Sequence, residues 1–279
     1  MRKYKFFQVL ILAAGASFVF AAKDTHENGI IRNELTESIV VYELMNLPTV
    51  DLSKFPKDPE GWITLFDGKT FNGWRGYNRT DIPEMWSIEN GAIRVHATGT
   101  GGAGPDGGDI LFAHKFSDFE FEVEWKVSKG ANSGIFYFIQ EVKGENASQS
   151  APESQVLDNE NHPDAAAGIN GNRKSSSLYD LIPANPQNAK PYGEWNKTVI
   201  RCLKGEVTHF QNNQPVVKYR LWTPEWKQML DSSKFSKDKN PMAYELLLNC
   251  GGEKREGFIG FQDHGDDVWF RNIRIKILD

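Results

Sequence analysis

Phe119-Glu-Phe-Glu-Val-Glu-Trp-Lys-Val127 alternates apolar and polar residues from end to end. Alternation with period two marks a half-buried strand, because successive side chains leave a pleated backbone on opposite sides. Shorter apolar or alternating runs lie on both sides of it. Residues 62–66, 86–89, 92–95 and 109–112 are predicted as strands upstream, and 133–139, 195–203, 207–211, 216–219, 258–261 and 268–277 downstream. Asn90-Gly91 joins two of them and is a strong hairpin signal, and a turn at Asn213-Gln214 joins another pair. Many short strands without long intervening helices predict an all-β sandwich or barrel.

Before this region the texture differs. Leu35, Ile39, Tyr42 and Met45 recur at near-helical spacing and predict a helix over 34–47, after which Pro48, Pro56 and Pro59 break the pattern. At the very start, Arg2, Lys3 and Lys5 precede an apolar run from Phe6 to Phe20 that ends in Ala21 and Ala22. A basic patch, a short apolar stretch and small residues predict a secretory signal over 1–22 and a periplasmic or secreted protein, with no membrane attachment once the signal is cleaved. The expected organisation is therefore signal 1–22, a short N-terminal extension 23–60 and one domain over 61–279. Two long loops are expected within that domain, 159–172 and 222–241, the second carrying a short helix over 224–230. The Gly-rich stretch 99–108 is expected to form a loop beside the site.

The 279 residues carry a net charge of -5, with 25% charged and 12% aromatic residues. Nucleic-acid binding is not expected, since the basic residues are scattered and phosphate attraction needs them clustered. Cys202 and Cys250 either pair in an oxidising compartment or stay buried as thiols; neither belongs to a Cys-x-x-Cys pair. No Gly-x-Ser-x-Gly occurs, and the Gly-rich stretch lacks the Lys-Ser/Thr ending of a phosphate loop.

Three constellations could carry chemistry. Glu120, Glu122 and Glu124 share one strand face, which suits either paired-carboxylate glycoside hydrolysis or a solvated surface. In Glu153-Ser-Gln-Val-Leu-Asp158, Glu153 and Gln155 share a strand face, where a carboxylate and an amide can grip a sugar hydroxyl. Asp158, Asn159 and His162 begin the loop beyond, and the alternation Asp158, Glu160, His162, Asp164 admits a divalent metal without requiring one. Gln262 and His264 share one face at a strand end, with Asp263 beside a histidine suited to proton transfer.

Several segments resemble the 3-keto-disaccharide hydrolase domain family, long described only as a domain of unknown function in the concanavalin A-like lectin/glucanase superfamily. They are Gly61-Trp-Ile-Thr-Leu-Phe-Asp-Gly-Lys-Thr-Phe-Asn-Gly-Trp74, Ala131-Asn-Ser-Gly-Ile-Phe-Tyr137, Glu153 to Asn159, Leu178-Tyr-Asp-Leu-Ile-Pro183, Lys190-Pro-Tyr-Gly-Glu-Trp-Asn196 and Gly260 to Asn272. The resemblance implies a concanavalin-like jelly-roll β-sandwich of two antiparallel sheets. It also implies export and action on glycosides oxidised to a ketone at ring carbon 3. One departure stands out: the family shows Glu-Tyr-Gln where this chain has Glu153-Ser154-Gln155, and Ser154 is expected on the opposite face from Glu153.

A ketone acidifies the proton on carbon 2, so a base can remove it and the enolate can expel the group on carbon 1, with water addition completing a net hydrolysis. Such a site needs a base, an acid and donors or a metal for the enolate oxygen. Glu153 or His264 is expected as base or acid, with Asp158 orienting the site. Gln155, Asn159 and Gln262 are expected as ligands of hydroxyls and enolate, and Tyr179, Lys190 and His209 as further contacts. Trp86, Trp195 or Trp269 could stack on sugar. An oxidoreductase partner could supply the ketone. Two other functions fit the same architecture: a non-catalytic carbohydrate-binding module, and a glucanase using Glu120, Glu122 and Glu124.

Overall fold

The computed structural model describes residues 40, 42–99 and 107–279. The signal 1–22, residues 23–39 and 41 of the extension and most of the Gly-rich stretch lie outside them. Thirteen strands account for most of the regular structure. The first seven are β1 (Trp62–Thr64), β2 (Trp74–Gly76), β3 (Trp86–Glu89), β4 (Ala92–Val95), β5 (Ile110–Phe116), β6 (Phe119–Val127) and β7 (Asn132–Ile139). The others are β8 (Glu153–Leu157), β9 (Asn196–Leu203), β10 (Glu206–Gln211), β11 (Gln214–Arg220), β12 (Gly257–Phe261) and β13 (Val268–Ile277). They form two antiparallel sheets. The larger runs β11-β10-β9-β6-β13-β4-β3 with β1 also on β13, and the smaller runs β2-β5-β12-β7-β8. The protein is a β-sandwich.

Alternation in β6 sets the larger sheet's faces. Phe119, Phe121, Val123, Trp125 and Val127 point inward and are buried, and the intervening Glu and Lys are half-exposed. Phe121 meets Phe261 of the smaller sheet, which stacks on Phe270 with ring centroids 4.0 Å apart. Each such ring removed from water contributes roughly 1.5–3 kcal/mol. Trp125 reaches a polar partner even here, donating from Nε1 to Thr198 Oγ1 at 2.8 Å.

Short turns hold the registers. Asn90 and Gly91 both have positive φ (50° and 76°), the type I′ geometry that the right-handed strand twist favours. Between β10 and β11 the turn falls at Asn212 and Asn213, both in the left-handed region, one residue earlier than expected, and Gln214 belongs to the strand. The smaller sheet is covered on both sides. A second apolar cluster, including Leu111, Phe136, Ile139 and Phe258, packs on its outer face with Val50 and Ala147.

The helix expected over 34–47 is absent from its described residues. Residues 42–50 run extended: Leu44 bridges Val142, Met45 N–H donates to Glu141 O, and Val50 N–H donates to Ala113 O. Backbone pairing with Val142, Glu141 and Ala113 overrides the helical spacing. Beside this segment, Arg75 and Glu141 form a buried two-pronged ion pair. Between β11 and β12 the chain makes α1 (Pro224–Asp231) and α2 (Pro241–Leu248). Thr223 caps the first and Asn240 the second, each followed by proline. No helix among the described residues is long and apolar enough to cross a membrane. Cys202 and Cys250 are both free and buried.

Candidate active site

Three adjacent strands of the smaller sheet align polar groups on its outer face. β7 lies between β8 and β12. Gly134 sits opposite Gln155, and Gln262 N–H donates to Gly134 O at 3.0 Å. Glu153 precedes Gln155 by two residues, so it shares that face, and its side chain leans over Gly134. A Cβ added at Gly134 would lie 2.1 Å from Glu153 Oε1 and 2.7 Å from its Cδ. Glycine is needed here for room, not for its backbone freedom.

This row forms the back of a hollow of about 300 Å³, at the small end of the range for small-molecule sites. Glu153 and Gln155 line it from β8, Gln262 and His264 from just beyond β12, Leu178, Tyr179 and Leu181 from the segment after β8, and Lys234, Phe235 and Asn240 from between α1 and α2. Gln155 is 1% exposed and Glu153 8%. Among the described residues nothing hydrogen-bonds the Glu153 carboxylate. Burial pushes its pKa well above the usual carboxylate range, the Lys234 charge pulls the other way, and Asp109 and Asp164 push it further up. Asp109, which accepts from Asp263 N–H at 3.0 Å, is itself pushed up to about 7, first by burial and then by Asp263.

Tyr179 and Lys234 tie the lining of the hollow to a charged network beside it. Tyr179 Oη donates to Asp164 Oδ2 at 2.9 Å, Arg173 bridges Asp164 at 2.8 Å and Asp180 at 2.7 Å, and Asp180 Oδ2 accepts from Lys234 N–H at 3.1 Å. At the strand end, His264 is half-buried with Nδ1 enclosed and unpartnered, 3.8 Å from Asp266 Oδ2. Its ring meets that of His162 edge to face.

His162, His264 and Asp266 are the one group among the described residues whose ligand atoms lie close enough together to share an ion. The expected loop alternation does not build it: Asp158 and Asp164 are engaged elsewhere. His162 Nδ1 already accepts from Asp164 N–H at 3.1 Å, which leaves the ring proton on Nε2 as a donor. As arranged, the trio offers a metal one imidazole and one carboxylate, short of the three protein ligands of a typical catalytic zinc site.

The sequence profile of the 3-keto-alpha-glucoside-1,2-lyase-like domain matches residues 61–276, most of the chain and all of the strands but the last residue of β13. This chain belongs to that family. A relative from Bacteroides thetaiotaomicron, named 3-keto-disaccharide hydrolase, is 53% identical over 97% of this chain and 95% of its own. Two crystal structures from Parabacteroides distasonis, both assigned provisionally to the glycosyl hydrolases, share the fold. One has a TM-score of 0.66 at 28% identity, covering 79% of this chain and 95% of its own. The other has a TM-score of 0.59 at 25% identity, covering 78% and 99%.

Of the residues singled out from this family member's sequence, Glu153, Gln155, Tyr179, Gln262 and His264 meet in the hollow. Five do not. The Asp158 carboxylate ties down its own turn, accepting from Gly130 N–H, Glu160 N–H and Asn161 Nδ2. Asn159 Oδ1 accepts from Ser175 N–H. Lys190 Nζ donates to Trp195 O on an exposed loop. His209 is fully buried in the sandwich, where Nε2 meets Tyr137 Oη and Nδ1 meets Ser176 O. Trp195 lies on the outer side of the larger sheet under Arg271 and Lys126. Trp86 belongs to the core, and Trp269 packs against Arg94 and Lys126, so the aromatic rings of the hollow are Tyr179 and Phe235 instead.

Glu120, Glu122 and Glu124 face away from the hollow and pair with Arg201, with Lys197 and Arg274, and with Arg271. Ser154 does point to the opposite face from Glu153, opposite Ile135, and its hydroxyl is buried without a partner. Lys234, Asn132, Asn240 and Asp109 were not foreseen. Asn240-Pro241 before an apolar run is a readable cap, but a single lysine in a polar loop gives no sequence signal.

Proposed function

We propose that this hollow cleaves glycosides whose ring carbon 3 is a ketone, by elimination across carbons 2 and 1 followed by addition of water. Family membership and 53% identity to a named 3-keto-disaccharide hydrolase make the chain a sugar-cleaving enzyme. The observation that favours elimination is the count of carboxyls. Glu153 is the one carboxyl among the described residues lining the hollow, whereas direct hydrolysis uses two across the scissile bond.

In this scheme Glu153, ionised, takes the proton from carbon 2. Burial makes it a stronger base than an ordinary carboxylate and brings its pKa toward the operating pH, where general-base efficiency is greatest. The electron pair from the broken C–H bond moves onto the ketone oxygen, then returns to form the carbon 1–carbon 2 double bond as the C–O bond to the leaving group breaks. His264 gives that leaving oxygen a proton. Water then adds across the double bond, releasing the free 3-keto sugar and restoring both groups. Gln155 and Gln262 flank Glu153 as amide donors and acceptors for ring hydroxyls. The ketone has to be installed beforehand by an oxidation of the parent glycoside, and the basic and apolar head of the chain suggests that this happens outside the cytoplasm.

The test is aglycone release from a 3-keto-glucoside by wild type, Glu153→Gln and His264→Ala. Each variant should lose about 10²–10⁴-fold in kcat, and solvent deuterium should enter carbon 2 during wild-type turnover. Tight binding without release by folded wild type would make the hollow a lectin site, and cleavage with neither deuterium at carbon 2 nor a trappable 2-hydroxy-3-keto-glycal would sink the elimination route.

A further inference from the structure

We infer that Lys234 is a catalytic residue, its ammonium stabilising the oxyanion that forms on the carbon 3 oxygen as the carbon 2 proton leaves. This rests on the elimination chemistry proposed above and names the electrophile it requires. Lys234 is the one lysine or arginine among the described residues lining the hollow. Its Nζ stands 4.1 Å from the Tyr179 ring centroid and 5.0 Å from that of Phe235, the two aromatic walls. These cation–π contacts fix the head group without consuming its hydrogen-bond donors.

Every other charge near Lys234 is already matched. Asp164 is bound by Arg173 and Tyr179, and Asp180 by Arg173 and the Lys234 backbone N–H. No ion pair or hydrogen bond from Lys234 Nζ is formed among the described residues. What remains facing the hollow is one ammonium and the Glu153 carboxyl, with neither engaged by protein. A purely structural lysine would be expected to end on Asp164 or Asp180. Burial of its surroundings lowers the Lys234 pKa while Glu153 opposes this, as expected for two groups sharing one enclosed space. A carbon acid needs both at once: a base for the proton and a positive charge for the oxygen that receives its electrons.

The test compares wild type, Lys234→Met and Lys234→Arg on a 3-keto-glucoside from pH 6 to 9.5. Unfolding temperatures and far-UV spectra would establish that each variant folds. Lys234→Met should lose about 10²–10³-fold in kcat at every pH, with KM changed only a few-fold, and Lys234→Arg should recover at least about tenfold of the loss. A Met variant within about threefold of wild type overturns the inference. So does a deficit that vanishes at high pH, since that would mean Lys234 only keeps Glu153 ionised. If the Met variant misfolds, Lys234→Cys before and after alkylation with 2-bromoethylamine, which rebuilds an ammonium at that position, answers the same question; no regain of rate on alkylation also overturns it. Wild type inert toward 3-keto-glucosides would instead refute the underlying elimination chemistry.

Discussion

Gly134→Ala isolates the geometry of Glu153 from its chemistry. Gly134 has no positive φ and lies inside β7, so alanine suits its backbone and removes some freedom from the unfolded chain. The new methyl, however, would lie 2.1 Å from Glu153 Oε1, 2.7 Å from Cδ and 2.9 Å from Cγ. Carbon–oxygen contact is comfortable near 3.4 Å, so the carboxylate must retreat by about 1.3 Å. The atoms in the way are the end of a flexible side chain, so the strand should hold and the side chain should swing. A displacement of that size costs on the order of 10²-fold in rate. The assay is release from a 3-keto-glucoside, with unfolding followed in parallel. The variant should lose about 100-fold in kcat/KM while its unfolding temperature moves by no more than a few degrees. In the Glu153→Gln background the same change should cost little more, because the group it displaces is already inactive. Retention of a third or more of wild-type activity, or a full second loss in the double variant, would refute the placement of Glu153 as the reacting carboxylate.

Two further outcomes test the rest of the structure. His209 is held neutral by burial, with its pKa lowered to about 4 in the fold, against about 6.5 in the unfolded chain. Its contribution is fully present above pH 6.5 and is lost as the pH falls through 4, which is worth roughly 3 kcal/mol. Urea titrations at pH 7 and pH 4 should therefore show a smaller acid-induced loss in His209→Gln than in wild type, and parallel losses would contradict this origin. Glu122→Gln should keep at least half of wild-type activity, because Glu122 pairs with Lys197 at 2.6 Å and Arg274 at 2.9 Å on the sheet away from the hollow; loss of activity with the fold intact would reinstate the glucanase mechanism.

The strands were legible where the core imposes alternation. β6 shows this best, since one face meets Phe261 and the other meets water and charge. β2 has three residues and no period to read. α2 buries Ala243, Tyr244, Leu246 and Leu247, so it lacks the polar stripe that separates a helix from a loop with apolar residues. The extended segment at 42–50 shows the reverse error, a helical spacing overruled by hydrogen bonds to partners distant in sequence, such as Ala113 and Glu141. Within the hollow, Glu153, Gln155, Gln262 and His264 were legible because strand alternation places their side chains once the strands are known. Lys234 and Asn240 arrive on a connection whose path no local rule specifies. Asp158, His209 and Trp195 stood out by residue type, and burial or hydrogen bonding assigns them to structure instead.

The hollow has a back and a cover of different origin. The back is a row across three hydrogen-bonded strands, whose pairing fixes where Glu153, Gly134, Gln155 and Gln262 start from. The cover comes from two connections, the segment after β8 that carries Tyr179 and the detour between β11 and β12 that carries Lys234, and the detour can vary in length and composition without touching that row. A lineage can therefore exchange the sugars it admits by rewriting the detour while inheriting its proton chemistry unchanged, provided the rewritten segment still delivers one positive charge above the row.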